Sequence, residues 1–284
     1  MAPTPEELLA AGNPAGALKA LQQQVRAKVA DGRLRVFLFQ LLCLLGQWQR
    51  ALDQLKVCAE LDAGTLAMVG TYEPAIRCEG VREAVFAGRT LPHVFGPPTA
   101  WVALLAQALQ LDANGQPAAA ASARAQALEQ AEASSGQLGD VPFQWLADAD
   151  SRLGPTLEVI INGRYGWLPF SHLSAVTIEP VADLRDLVWA PCHLKFVNGG
   201  DTVALLPVRY AGTPLAEGGP LVMSRQTEWL ELAGGLYRGI GQRVLSSDAT
   251  EVGLLEVRSI RFDAAPGASA PSPAAAAPSP ATEA

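Results

Sequence analysis

The 284-residue chain sets 28 Asp and Glu against 21 Lys and Arg, giving a formal charge of −7 and an isoelectric point near 5.1. That balance favours neither phosphate neutralisation nor attraction to anionic lipid, which excludes a general nucleic-acid binder and a polybasic membrane reader. An apolar content of 49% allows a substantial core, and the length suits two domains or one large one with an appendage.

The opening, MAPTPEELLAAG, has acidic residues where a signal peptide needs basic ones, and no apolar run approaches the ~18 residues of a membrane span. A soluble, reducing, cytoplasmic setting is therefore expected. Thr4, Pro5 and Glu7 form a helix start with a capping box, predicting a short helix to about Ala11. Asn13 and Pro14 repeat the start signal, and Ala17, Leu18, Leu21 and Val25 mark one apolar stripe.

Gly12, Gly46 and Gly80 recur at a spacing of 34, and Gly115 follows one residue later than the period. Ala17-Leu18 becomes Ala51-Leu52 and Leu21 becomes Leu55, so the sequence contains an internal repeat with a degenerate third copy and a partial fourth. A 34-residue period with a small residue at the helix-to-helix turn resembles the tetratricopeptide repeat. Such helix pairs stack to share a core and leave a concave surface for a peptide or helix. The segment from Arg33 to Leu45 is apolar nearly all round and belongs in the middle of the stack.

Pro74 is expected to kink the third helical region or divide it at Glu73. Arg89 to Pro98 reads as a loop holding a solvated or capping His93. Helices are predicted from Thr99 to about Asp112 and from Pro117 to about Ala133. SSGQLGD, Ser134 to Asp140, is the best boundary, which divides the chain into 1–135, helical repeats, and 140–263, strand-rich.

Phe143 to Leu153 has helical spacing, with Asp148 and Arg152 placed i,i+4. Gly154-Pro155 ends that pattern, and Thr156 to Ile161 suits a new helix or a strand. Short strands are predicted at Trp167–Phe170, Ala175–Glu179, Leu187–Val197 and Thr202–Arg209, with a hairpin turn at Asn198 to Asp201. Further strands follow at Gln226–Leu232, Leu236–Leu245 and Glu251–Phe262, the last with a phase slip near Ser259 that suggests a bulge. Met223 to Trp229 is alternatively helical. The fold class is α+β: a helical-repeat domain, then a smaller, mostly antiparallel sheet or partly open barrel. Ala264 to Ala284 offers no large apolar side chain and is expected to be disordered.

The catalytic menu is thin. His172 and His193 lack hydrolase or metalloprotease surroundings, and Cys192 and His193, adjacent on a strand, point to opposite faces. Cys43, Cys58, Cys78 and Cys192 form no C-x-x-C pair and read as buried thiols. Asp148 and Asp150, with Glu158, suit solvated or salt-bridged roles better than a magnesium site, and AGGLYRGIGQR lacks the lysine of a phosphate loop. No catalytic residue, metal or cofactor is expected. Asn162, Arg164, Tyr165 and Trp167 instead form an aromatic and guanidinium cluster of the type that anchors interfaces or fills a domain junction, beside Asp148 and Arg152. The competing readings are an enzyme with its pocket at this junction, using Asp148, Arg152, Asn162 and Arg164, and a structural oligomer subunit.

The runs DADSRLGPTLEVIINGRYGWLPF and DLRDLVWAPCHLKFVNGG, the Arg209-Tyr210 pair before a glycine, the closing LLEVRSIRF and the early LRVFLFQLLCLLGQWQRALDQLKVCAELD resemble the ImpE family, also called SciE or TagJ. The likeness covers almost the whole chain, with Gly166 standing where a second aromatic would follow Tyr165. It implies a cytoplasmic, non-enzymatic adaptor of bacterial type VI secretion. It further implies association with the small sheath subunit, TssB, through that subunit's N-terminal helix, and a link to the ClpV ATPase that recycles the contracted sheath.

Overall fold

The computed structural model describes residues 3–215 and 218–264. Its helices are α1 (Pro5–Ala10), α2 (Pro14–Ala27), α3 (Gly32–Leu44), α4 (Trp48–Leu61), α5 (Leu66–Phe86), α6 (Ala100–Ala113), α7 (Pro117–Gln130) and a single turn, α8 (Gly219–Val222). The starts follow the capping chemistry. The Thr4 hydroxyl accepts from Glu7 N while the Glu7 carboxylate accepts from Thr4 N, Asn13 accepts from Gly16 N, and Asp31 accepts from Arg33 N and Leu34 N.

Gly12, Gly46 and Gly115 take φ of +75°, +65° and +71° and turn the chain between α1 and α2, α3 and α4, and α6 and α7. The third copy departs from this plan. Gly80 lies inside α5, and the left-handed turn falls at Gly88, φ +67°. Pro74 does not divide the region at Glu73: α5 runs unbroken for 21 residues with Pro74 inside it. The carbonyl that Pro74 cannot bond belongs to Gly70, which is exposed, so it is open to solvent.

The strands are β1 (Gly136–Leu138), β2 (Val141–Phe143), β3 (Leu146–Asp148), β4 (Thr156–Ile161), β5 (Arg164–Pro169), β6 (Leu173–Ile178), β7 (Trp189–Phe196), β8 (Asp201–Pro207), β9 (Thr227–Leu232), β10 (Leu236–Gly241), β11 (Val244–Ser247), β12 (Glu251–Gly253) and β13 (Ser259–Phe262). Eight form one antiparallel sheet in the order β2-β1-β13-β6-β7-β8-β4-β5. β12-β11-β3 and β10-β9 form two smaller sheets.

Three local expectations change. The segment SSGQLGD supplies β1, held between β2 and β13. Phe143 to Leu153 is no helix but β3 followed by a turn, because β11 supplies backbone partners to Leu146, Ala147 and Asp148. The phase slip before Ser259 is a 3-10 turn at Leu254–Glu256 rather than a bulge, while a register shift occurs between Leu173 and Ala175 where β6 meets β7. The Ala/Pro-rich segment expected to be disordered lies outside the described residues beyond Ala264.

The large sheet buries both faces. One face sends Ile160, Tyr165, Trp167, Trp189 and Leu205 into the same core as Leu21, Phe39, Leu42, Tyr72 and Leu105 of the helices. The other packs Leu157, Val159, Leu168, Phe170 and Val176 against Leu146, Leu245 and Leu254. Alternation along β4 and β5 serves both layers, as a strand period of two requires. The apolar face of the helical layer, where a free repeat array would receive a peptide, is thus occupied by the chain's own sheet.

Candidate functional site

Of the six residues to which the sequence points, Asp148, Arg152, Tyr165 and Trp167 are buried where helices meet sheet, and Asn162 and Arg164 are exposed at the tip of the β4–β5 hairpin. That tip is tight because Asn162 (φ +49°) and Gly163 (φ +71°) are consecutive left-handed residues. It rests on α5: the Cys78 thiol donates to Gly163 O at 3.2 Å, and a Cβ at Gly163 would meet Pro74 at 2.8 Å.

The buried part is organised by Glu158 of β4, a residue with no exposure. Arg82 of α5 donates Nε to Oε1 at 2.7 Å and Nη2 to Oε2 at 3.0 Å, Tyr165 OH donates to Oε1 at 2.5 Å, and Arg243 Nη2 also meets Oε2. Trp167 Nε1 in turn donates to Tyr165 OH at 2.9 Å. Burial alone would push the Glu158 carboxyl up, but the guanidinia of Arg82 and Arg243 more than reverse this and hold it at about 2.

Arg243 continues to Asp148 Oδ2, whose Oδ1 accepts from Tyr210 OH and from Asp150 N, both at 2.9 Å. Burial, reinforced by neighbouring Asp150, raises Asp148 to about 6 against the pull of Arg243. Arg152 pairs with Asp150, its Nε 2.9 Å from Oδ1, and lies over the Phe86 ring at 4.8 Å. The expected i,i+4 partnership of Asp148 and Arg152 is therefore absent. The partner of Asp148 stands 95 residues further along the chain.

Arg209 completes the junction without touching a carboxylate. Its Nη1 donates to Leu44 O at 2.5 Å and Val222 O at 3.0 Å, at the C-terminal ends of α3 and α8. Backbone carbonyls thus satisfy its donors in place of a paired carboxylate, and burial lowers the guanidinium to about 10 against the pull of Glu79.

These groups are suited to holding layers together rather than to proton transfer. Glu158 is saturated by donors, and Asp148 borders none of the clefts described below. Burial pushes the thiols of Cys78 and Cys192 up to about 11 and about 12, and those of Cys43 and Cys58 also up, which starves them of thiolate. His193 meets Asp201 at 2.8 Å while Cys192 is buried on the opposite face, and His172 Nδ1 sits 3.1 Å from Phe95 O. Among the described residues no group of three His, Cys, Asp or Glu could hold a metal ion, and no helix is long and apolar enough to cross a membrane.

Sequence reasoning missed Arg82, Arg209, Tyr210 and Arg243 as members of this network. A signal existed: REAVF, PVRYAG and GQRVL each place an arginine among residues destined for the core, and a buried charge requires a partner.

The segment 93–95 closes the open edge of β5. Trp167 N donates to His93 O at 2.7 Å and Phe95 N to Trp167 O at 2.9 Å, the parallel bridge of Val94 with Trp167. Gly166 is required here, since a Cβ would strike the His93 carbonyl and lie 2.8 Å from the Phe95 ring. This is why no second aromatic follows Tyr165.

A cleft of about 260 Å³ opens onto the network itself beside Trp48, Glu79, Arg82, Arg209 and Tyr210, and a longer trough lies over α5 and α6. Two clefts of about 430 Å³ each share Leu91 as a common wall. One runs along α6 past Val94, Val102 and Ala106, and the other crosses Val81 and Cys78 to Arg164. Leu91 is 60% and Val81 48% exposed, an apolar floor ending in Arg77 and Arg164. On the far side of the hairpin tip a separate cleft of about 590 Å³ lies between α5 and β7–β8, past Val203.

A family model described as ImpE protein matches residues 140–261. The chain is 53% identical over 258 residues, 91% of its length and 90% of the relative's, to the protein described as type VI secretion system accessory component TagJ of Pseudomonas aeruginosa. Its fold is similar to the crystal structure of a Vibrio parahaemolyticus protein, with a TM-score of 0.84 and 20% identity over 92% of this chain and 98% of that one.

Proposed function

The chain belongs to the ImpE family, and on that footing we propose that it is an accessory component of a type VI secretion system, acting in the cytoplasm as a non-enzymatic adaptor. Its partner in this reading is the N-terminal helix of the small sheath subunit, TssB, and through it the ClpV ATPase that recycles the sheath.

The observation that carries the reading is the trough centred on Leu91. An amphipathic helix binds by placing apolar anchors at i, i+3/i+4 and i+7 on an apolar floor, and the two clefts meeting at Leu91 offer a floor of that kind. Arg77 and Arg164 at one end favour a helix with acidic residues at the matching end. Saturated buried carboxylates and suppressed thiols support recognition over catalysis.

The test uses the full chain, because helices and sheet share one core. A labelled synthetic peptide of the sheath-subunit helix is titrated against the wild type, Leu91→Asp, Val81→Asp and, as a control in the other cleft, Val203→Asp. The expected result is at least a ~10-fold loss, about 1.4 kcal/mol, for the first two and none for the control. Undiminished binding by Leu91→Asp and Val81→Asp would move the site elsewhere, and no binding by the wild type would remove this partner.

A further inference from the structure

The β9–β10 hairpin belongs to neither larger sheet, and its two edges are treated differently. Along β10 the outward N–H groups are all used: Tyr237 donates to Ser151 Oγ at 3.2 Å, Gly239 to Asp150 Oδ2 at 3.0 Å and Gly241 to Thr213 Oγ1 at 2.9 Å. Because these three point away from β9, the residues bonded across the hairpin are Leu236, Arg238 and Ile240, opposite Leu232, Leu230 and Glu228. The intervening residues of β9, Thr227, Trp229 and Glu231, therefore turn their backbone N–H and C=O groups outward. Among the described residues, none of those groups meets a donor or acceptor.

An open edge of this kind is a template for another strand, and proteins usually blunt one with lysine, proline or a bulge. β9, TEWLEL, contains none of these. Instead Trp229, Leu230 and Tyr237 stand 40%, 39% and 47% exposed on and beside the edge.

We propose that β9 pairs with β9 of a second copy of this chain, antiparallel about a two-fold axis through Trp229, giving a continuous four-stranded sheet. The sequence itself selects the occupant and the register. Centring on Trp229 places Thr227 of one copy opposite Glu231 of the other and Glu228 opposite Leu230, so no carboxylate faces a carboxylate across the seam. The two tryptophans become a cross-strand aromatic pair. Sliding the register by two residues in one direction would set Glu228 against itself and leave only Thr227 to Trp229 overlapping, and in the other would keep the overlap but set Trp229 against Glu231, losing the aromatic pair. An isologous strand pair needs this kind of self-complementarity.

Six residues of edge make a small interface, so association is weak, with a dissociation constant on the order of 100 µM. The formal charge of −7 on each copy makes it tighten with added salt.

Sedimentation equilibrium of the full chain across that concentration range reads the outcome. The wild type is expected to rise from 29.8 kDa toward twice that mass. Glu231→Pro deletes an outward N–H without removing a bond to β10, so it should weaken association at least ~10-fold while leaving circular dichroism and Tm unchanged. Trp229→Cys supplies an independent reading: hydrogen-bonded antiparallel partners lie about 5.5 Å apart at Cα, within disulfide reach, so mild oxidation should cross-link that variant into dimers. A mass fixed at 29.8 kDa throughout, a dimer indifferent to Glu231→Pro, or no cross-link in the Trp229→Cys variant would each overturn the proposal and leave the edge to a strand of a different protein.

Discussion

Arg82 of α5 and Glu158 of β4, 76 residues apart, form a two-pronged ion pair in which both side chains are buried, at 2.7 and 3.0 Å. The pair joins the helical layer to the sheet by charge as well as by packing. Such a pair is a weak source of net stability, but removing one member leaves the other uncompensated in a medium of low dielectric.

Glu158→Gln should therefore lower unfolding free energy by about 3 to 5 kcal/mol, since Arg82 loses its two-pronged partner and Arg243 is left with Asp148 alone. Replacing Arg82 and Glu158 together by Met and Leu should cost less than the sum of the single changes. Urea denaturation of the four proteins in a double-mutant cycle measures the difference.

The two network carboxylates titrate with opposite sign. Glu158, at about 2 against an ordinary 4.5, contributes stability that is complete above 4.5 and lost as pH falls toward 2. Asp148, at about 6 against an ordinary 3.8, keeps a proton in the native state that the unfolded chain has released, so stability falls as pH rises from 3.8 to 6. Asp148→Asn should abolish that falling limb, about 3 kcal/mol at 1.36 kcal/mol per pKa unit, and leave the acid limb intact. Urea midpoints taken between about pH 3 and 7 follow both limbs.

Arg209→Met removes the donors to Leu44 O and Val222 O while keeping an apolar stem. Bonds from a charged donor are each worth about 1.5 to 3 kcal/mol, so a loss of about 2 to 4 kcal/mol is expected, concentrated at the ends of α3 and α8. Amide hydrogen exchange should show the last turn of α3 opening before the rest of that helix.

Pro74→Ala keeps the Cβ against which Gly163 leans and returns an N–H to the Gly70 carbonyl. A gain of about 1 to 3 kcal/mol, read as a higher Tm, is the expected outcome. Gly166→Ala has the opposite sign: its Cβ strikes the His93 carbonyl, and the amides of Phe95 and Trp167 should lose exchange protection.

Where residues close to one another in the chain decide the structure, the sequence was readable. The Thr4–Glu7 capping box, the Asn13-Pro14 helix start and the Asn198-Gly199 turn depend on near neighbours, and so do the α+β class and the antiparallel strands. The failures share the opposite property. Asp148 has an acceptable local partner in Arg152 but a distant one in Arg243, and β11 decides between them. The segment around Gly136 has no strand pattern of its own and is extended because β13 lies beside it. Gly80 keeps the repeat spacing, yet α5 continues through it because Tyr72, Ala75, Ile76 and Cys78 find sheet and helix residues to pack against. For the candidate site, the sequence singled out Asn162 and Arg164 without showing that they form a hairpin tip, and the Leu91 trough was not legible, since its walls come from a loop and two helices that meet only on folding.

Arg243 has a further consequence for synthesis on the ribosome. When the helical half has emerged, Arg82 has no Glu158, and when β4 emerges the pair still lacks Arg243, whose other hand must take Asp148. Domains made early in a chain commonly fold as it is extended. Here the charge that joins three separate stretches arrives close to the last strand, so the buried network is complete only once nearly the whole polypeptide has been made.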